Sequence, residues 1–444
     1  MRALSPSERW FWIIDRLSPA NCGARIRVHG PIPAARLESA AAALVAEYPL
    51  LRMGIADDAG SHPRWRPLTR PRIPVRRIES RDAEAWVREL DAELAEPFDT
   101  AAGLARITDI AVGVGTDGEF HDIVLTISHI VADGRSLMAL LRKLIGYAES
   151  GGAGGPERPP APAADDLIPP AARGLWRWLH TTAADQVTAL VQRPHRLPVV
   201  AAPITDRRTR VVHRVLDRET SAALVTDCRR IGVTVHGVLA AAVAAAVGGA
   251  ALEQIGARRA ATGVAAVGSP VDFRAALRPA PDADEVGVYA PVLVGFVPFG
   301  PGVSLWEAAR SAKRQLERGV RQGRHLATVA GMRFGTPRGL ESGGRLAEMV
   351  DRRAPWNVSV TNLGRVEFPE RAGAWRLSGL RLAATNSCVS VLTVAITTAH
   401  EETHLGFCYA DPVLSRVRAE AFADAVLTVL ARRPDPSVAL QAGA

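Results

Sequence analysis

A histidine and an aspartate four positions apart, with a glycine after them, stand where two apolar runs meet: Ser128-His129-Ile130-Val131-Ala132-Asp133-Gly134. "DIVLTI" (Asp122 to Ile127) comes before them and "LMALLRKLIGY" (Leu137 to Tyr147) after. A neutral imidazole can take a proton from a hydroxyl or an amine near neutral pH. Alternation in the upstream run predicts a strand with Ile123, Leu125, Ile127 and His129 on one face. Val124, Thr126 and Ser128 then share the other face. The chain turns at Asp133-Gly134 into a helix, so His129 stands at a strand end, where side chains reach a cleft. A single histidine of this kind is weak evidence of catalysis when taken alone.

A second stretch, "WNVSVTNLG", puts Asn357, Ser359 and Thr361 on one strand face and Val358 and Val360 on the other. Ordinary strand hydrogen bonding and a turn at Asn362-Leu363-Gly364 account for these polar residues as readily as chemistry does. No G-x-S-x-G elbow offers a serine nucleophile. The cysteines Cys22, Cys228, Cys388 and Cys408 form no C-x-x-C pair, so no metal site and no disulfide framework is expected. His404 precedes Cys408 by four positions on one strand face, which shared packing explains. The glycines of "GVGTDGE" (Gly113 to Glu119) lack the phosphate-loop pattern.

These residues need elements to hold them, and the chain has enough length to build two domains. Hydrophobic residues make up 48% of 444, which supports a large core. "ARIRVHG" (Ala24 to Gly30), "LARITDIAV" (Leu104 to Val112) and "FHDIVLTIS" (Phe120 to Ser128) predict strands. Apolar residues at helical spacing around Leu37 to Tyr48, and again over Asp82 to Leu94, predict helices. Gly and Pro crowd Ser150 to Pro170, which reads as a linker. "GVLAAAVAAAVGGAAL" (Gly237 to Leu252) is uncharged but shorter than a membrane span, so a packed core helix is expected. The segment Ala171 to Arg193, with Trp176 and Trp178 among Arg173, Arg177 and His180, suits a helix on a membrane surface. It suits a crossover helix between two domains equally well.

The formal charge is +8, and the arginines are scattered apart from a cluster at Thr69 to Arg77. No nucleic-acid signature accompanies that charge, so no nucleic-acid partner is expected. The first apolar run, Trp10 to Ile14, is too short for a signal-peptide core, and reduced, cytoplasmic thiols are the expectation.

H-x-x-x-D-G after a buried strand resembles the active-site signature of the condensation-domain, chloramphenicol-acetyltransferase-like superfamily. "LSPSERWFWIIDRL", "AALVAEYPLLRMGI", "SPVDFRAALRP" (Ser269 to Pro279), "VGVYAPVLVGFVPF" (Val286 to Phe299), "VSVTNLGRVEFP" (Val358 to Pro369) and "HLGFCYADPVLS" (His404 to Ser415) resemble its segments, in its order. "SPVDFRAALRP" and "VSVTNLGRVEFP" look most like the polyketide-associated acyltransferases. Often that superfamily has two adjacent histidines; here the first is Ser128.

The resemblance implies an α/β fold of mixed sheets, with two chloramphenicol-acetyltransferase-like halves in a V around a central tunnel. The halves would span 1–170 and 206–444, with a crossover segment at 171–205. It implies that His129 is the catalytic base and that Asp133 pairs with Arg274 to brace the loop. Gly134 would permit the turn, and Asn357, Ser359 or Thr361 would line the tunnel and help bind an oxyanion. The implied reaction moves an acyl group from an acyl carrier protein or acyl-coenzyme A to a hydroxyl, without a covalent intermediate. An amine acceptor, or a binding role without turnover, is the alternative. No metal or resident cofactor is expected, since the thioester is a co-substrate. One chain would complete the site, so a monomer would suffice.

Overall fold

The structure is a computed structural model that describes residues 2–254, 256, 261–386, 388 and 390–433. Helix α1 (Pro6–Leu17) starts at a capping box, in which Ser5 and Glu8 each satisfy the other's backbone N–H. It leads into β1 (Asn21–His29) and α2 (Ala34–Glu47). A hairpin of β2 (Met53–Ala56) and β3 (Arg64–Pro67) precedes β4 (Val75–Ser80), α3 (Ala85–Ala95), β5 (Ala105–Val112) and β6 (Phe120–Ser128). Helix α4 (Gly134–Glu149) closes the first half. After the linker come α5 (Leu175–Gln192), β7 (Arg208–Leu216), α6 (Arg218–Ile231), α7 (Val235–Gln254), β8 (Gly263–Pro270) and β9 (Val292–Phe299). Then follow α8 (Leu305–Arg321), α9 (Arg324–Gly335), α10 (Leu340–Arg353), β10 (Val358–Arg365), β11 (Arg371–Ala372) and β12 (Trp375–Ala383). β13 (Leu392–Ala399), β14 (Glu402–Asp411) and α11 (Arg416–Ala431) complete the chain.

Two six-stranded mixed sheets carry the molecule, in the orders β11-β12-β1-β6-β5-β4 and β7-β14-β13-β10-β8-β9. Each has its own apolar core. One is built on Trp12, Ile26, Leu44 and Leu125, the other on α7, Val360, Phe407 and Trp306. The strand predicted at Phe120 to Ser128 is β6, in register with β1 from Asn21↔Ser128 to His29↔Phe120. Both faces of β6 are buried.

The stretch 206–444 contributes to both sheets: β12 adds to the first one, pairing antiparallel with β1 from Gly23↔Ala383 to His29↔Arg376. Leu377, Leu380 and Leu382 are buried in the first core, so apolar burial holds β12 in place.

α7 is long and apolar enough to cross a membrane by composition alone, but 72% of that stretch is buried inside the protein. Its glycines explain the packing. A Cβ on Gly248 would lie 2.1 Å from the Phe299 ring, and one on Gly237 would lie 2.8 Å from the Ala309 carbonyl. Close approach by neighbours on these sides selects the smallest residues.

α5 packs along one side only. Its Trp178 ring sits on Gly331 of α9, where a Cβ would come within 2.0 Å of the ring. Gly331→Ala is therefore expected to lower stability by about 1–3 kcal/mol through overpacking. The lost fit should also loosen α5, so limited proteolysis should cut within 175–192 faster than in the wild type.

Candidate active site

His129 directly follows β6, and its backbone N–H donates to the Ala20 carbonyl (2.8 Å), which pins the residue beside the start of β1. The ring Nδ1 lies 2.8 Å from the Ala132 carbonyl. A carbonyl only accepts, so Nδ1 carries the proton and Nε2 presents its lone pair. The ring lies against Phe11 of α1 with centroids 4.3 Å apart. Burial pushes the His129 pKa below its ordinary value, with the Asp133 charge and the Ala132 carbonyl opposing. The neutral form therefore predominates at pH 7.

Asp133 caps α4, and its carboxylate is taken up by hydrogen bonds. Its Oδ1 accepts from Ser136 N (2.9 Å) and from Arg274 Nη2 (3.0 Å), and its Oδ2 accepts from Tyr289 N (2.9 Å). Its own N–H donates to the Gly287 carbonyl (3.0 Å). Arg274 also reaches Ser136 Oγ (2.9 Å) and Asp272 (3.2 Å), and its guanidinium lies 4.2 Å from the Tyr289 ring centre. Burial works against the Arg274 charge, but Asp133 and Asp272 outweigh it and raise the Arg274 pKa. The pair expected from the sequence therefore exists and is buried, and it locks the 128–134 loop to the second half of the chain.

Ser128 is fully buried, and its hydroxyl accepts from the Ile130 N–H (3.4 Å), so this loop carries its own local support. Gly134 needs a different explanation from the expected one. Its φ is not among the positive values, so the turn does not require glycine there. A Cβ at Gly134 would instead stand 3.4 Å from Leu363 and 3.5 Å from Leu382. The missing side chain leaves room on the wall of the cavity beside His129.

That cavity has a volume of about 430 Å³ and is mostly apolar, within the usual range for small-molecule sites. Both halves line it: Phe11, Ile14, Cys22 and His129 from one, and Phe273, Met332, Val350 and Trp356 from the other. Ser359 and Thr361 also line it, where the resemblance implies a tunnel wall. Ser359 is hydrogen-bonded to Ser390 (3.1 Å), another lining residue. Asn357 is the correction: it does not line this cavity. Its Oδ1 accepts from Leu197 N (2.9 Å) and its Nδ2 donates to Leu197 O (2.8 Å), which fixes the crossover segment to β10. Both polar ends are tied to Leu197, outside the cavity, so it is not placed to serve an oxyanion there.

Sequence reasoning did not single out Phe11, Trp356, Ser390, Tyr289 or Ser136. Ser136 sits two residues after the motif, and Tyr289 lies in the "VGVYAP" segment, so both were within reach of a closer reading. Among the described residues, no group of three His, Cys, Asp or Glu side chains is placed to hold a metal. Cys22 lines the cavity, but burial pushes its thiol up to about 12, which keeps it protonated. Arg76 and Arg77, from the basic cluster, pair with Glu89, Glu93 and Asp109.

Residues 205–410 match the family model described as the C-terminus of phthiocerol/phthiodiolone dimycocerosyl transferase. A probable non-canonical nonribosomal peptide synthetase of Salinispora arenicola is 29% identical over 270 residues, which is 54% of this chain and 3% of that protein. The chain thus spans only about 3% of the length of the curated relatives it matches. The first condensation domain of the CDA synthetase superposes with a TM-score of 0.68 at 19% identity, covering 97% of this chain and 95% of that one. Polyketide synthase associated protein 5 of Mycobacterium tuberculosis gives a TM-score of 0.67 at 16% identity, covering 97% of each chain. Over nearly its whole length the chain has the fold of these proteins.

Proposed function

We propose that this chain is a member of the condensation-domain and chloramphenicol-acetyltransferase-like superfamily, near the polyketide-associated acyltransferases, and that it moves an acyl group from a thioester to a hydroxyl. One observation carries this reading. His129 has its proton fixed on Nδ1, and its free Nε2 stands in a mostly apolar cavity that both halves line. The acceptor hydroxyl attacks the thioester carbonyl as Nε2 takes its proton. The tetrahedral intermediate then collapses, and the departing thiolate takes that proton back from Nε2. The products are an ester and a free thiol, and no acyl-enzyme forms. Ser359, Thr361 and Trp356 are among the donor-bearing residues that line the same cavity and suit an oxyanion. The donor would be a carrier-bound or coenzyme A thioester, and the acceptor a lipid, polyketide or similar metabolite. Apolar walls suit such substrates.

The nonribosomal peptide synthetase relative favours a second reading, in which the acceptor is an amine and the product an amide. A panel of alcohol and amine acceptors separates the two. Transfer to amines alone would defeat the ester reading.

The depressed His129 pKa gives a signed prediction. Only the neutral ring can accept the proton, so kcat/KM should fall toward low pH with a midpoint below the ordinary imidazole value. A limb centred above 6.5 would contradict the burial described for this ring.

A further inference from the structure

One face of α5 has no partner. The helix docks by Trp178, on Gly331 and Gly335, and by Asp185, which pairs with Arg324 of α9. At ~100° per residue the opposite arc holds Leu175, Trp176, Leu179, Val187, Leu190 and Val191. Their exposures run from 39% at Leu179 to 81% at Trp176. Among the described residues, six of the fourteen strongly exposed large hydrophobic side chains lie on this one helix. Apolar residues scattered over a surface are ordinary, but a contiguous stripe marks an interaction site.

Charge selects the partner. Asp185 is the one acidic residue of α5, and it is used on the packed side. Arg177 and Arg193 flank the stripe, and both are exposed. Arg177 donates to the Gln322 carbonyl (3.1 Å), which brings the exposed Arg321 beside the helix. Phe334, itself exposed, lies 6.3 Å from the Trp178 ring and follows the exposed Arg333. An apolar stripe with a terminal tryptophan, arginine flanks and no acid on its face matches an interface between acyl chains and anionic headgroups.

We propose that α5 lies in the surface of an anionic lipid membrane and holds the protein there. The stripe would run about 24 Å along the bilayer, taking 1.5 Å per residue. α9, on which α5 rides, supplies Thr328, Val329 and Met332 to the wall of the His129 cavity. The docked face is therefore one helix away from the cavity, a position suited to taking a lipid substrate from the bilayer. The inference stands on the surface alone and holds whichever bond the cavity makes.

The test is co-sedimentation of the full chain with vesicles at about 0.15 M salt. One set is pure phosphatidylcholine, and the other contains about one-fifth phosphatidylglycerol. The wild type should pellet with the anionic vesicles and far less with the neutral ones. Trp176→Glu with Leu190→Glu should lower that partitioning roughly tenfold or more, a loss of about 1.4 kcal/mol or greater. Both side chains are exposed, so the melting temperature and the transfer rate to a soluble acceptor should not change. A wild type that stays in the supernatant with both vesicles would overturn the proposal, as would a double variant that pellets equally well. A concentration-dependent dimer that the double variant abolishes, without vesicle binding, would assign the face to a second copy of the chain and overturn it too. Equal pelleting on both vesicles would remove the anionic requirement.

Discussion

His129→Ala should lower acyl transfer by roughly 10²–10⁴, or about 2.7–5.5 kcal/mol of transition-state stabilisation, which is the usual range for a general base. The protein should stay folded. The ring makes one side-chain hydrogen bond, to the Ala132 carbonyl, and one ring contact, to Phe11. Losing that neutral bond costs about 1 kcal/mol. The site would still bind donor and acceptor, so KM should change much less than kcat. A variant with both unchanged would show that the ring is not the base.

Arg274→Ala should do the reverse and act first on stability. It strips the guanidinium from a carboxylate that is almost wholly buried, leaving Asp133 with the Ser136 and Tyr289 N–H donors only. Breaking a buried pair in this way typically costs about 3–5 kcal/mol. Against a typical total of about 5–15 kcal/mol, that is a large share. Chemical denaturation should show the midpoint shift, and transfer should fall as well, because the 128–134 loop loses its tie to the second half. Arg274→Lys should recover only part of the loss. One ammonium cannot serve Asp133, Ser136 and Asp272 in the geometry that the planar fork provides. The two variants thus separate roles: one keeps stability and loses rate, while the other loses stability with the base still present. An Arg274→Ala protein as stable as the wild type would refute the bracing role.

What could be read from the sequence was local. β6 and the helix after it follow from alternation and helical spacing within twenty-eight residues, and they alone place His129 at a strand end. The Asp133–Arg274 pair spans 141 positions, and only the resemblance supplied it. The shared face of Ser359 and Thr361 came from strand parity, which holds wherever the strand lies. Asn357 obeys the same parity but was misplaced, because its partner Leu197 lies 160 residues away in a segment without periodicity. Nothing near Trp375 to Ala383 announces that this strand joins the first sheet, since an apolar face fits either core. The turn role of Gly134 came from the resemblance, and the backbone there has no positive φ, while a Cβ would make only ordinary contact with Leu363 and Leu382.

The central claim is that His129 moves the proton in acyl transfer to a hydroxyl. The most direct test is single-turnover transfer by wild type and His129→Ala, using acyl-coenzyme A and acyl-carrier thioesters with paired alcohol and amine acceptors. Mass spectrometry would identify the products. The account predicts ester from the wild type, and a rate lower by roughly 10²–10⁴ in a variant that melts at the same temperature. Equal rates in the two proteins would contradict it.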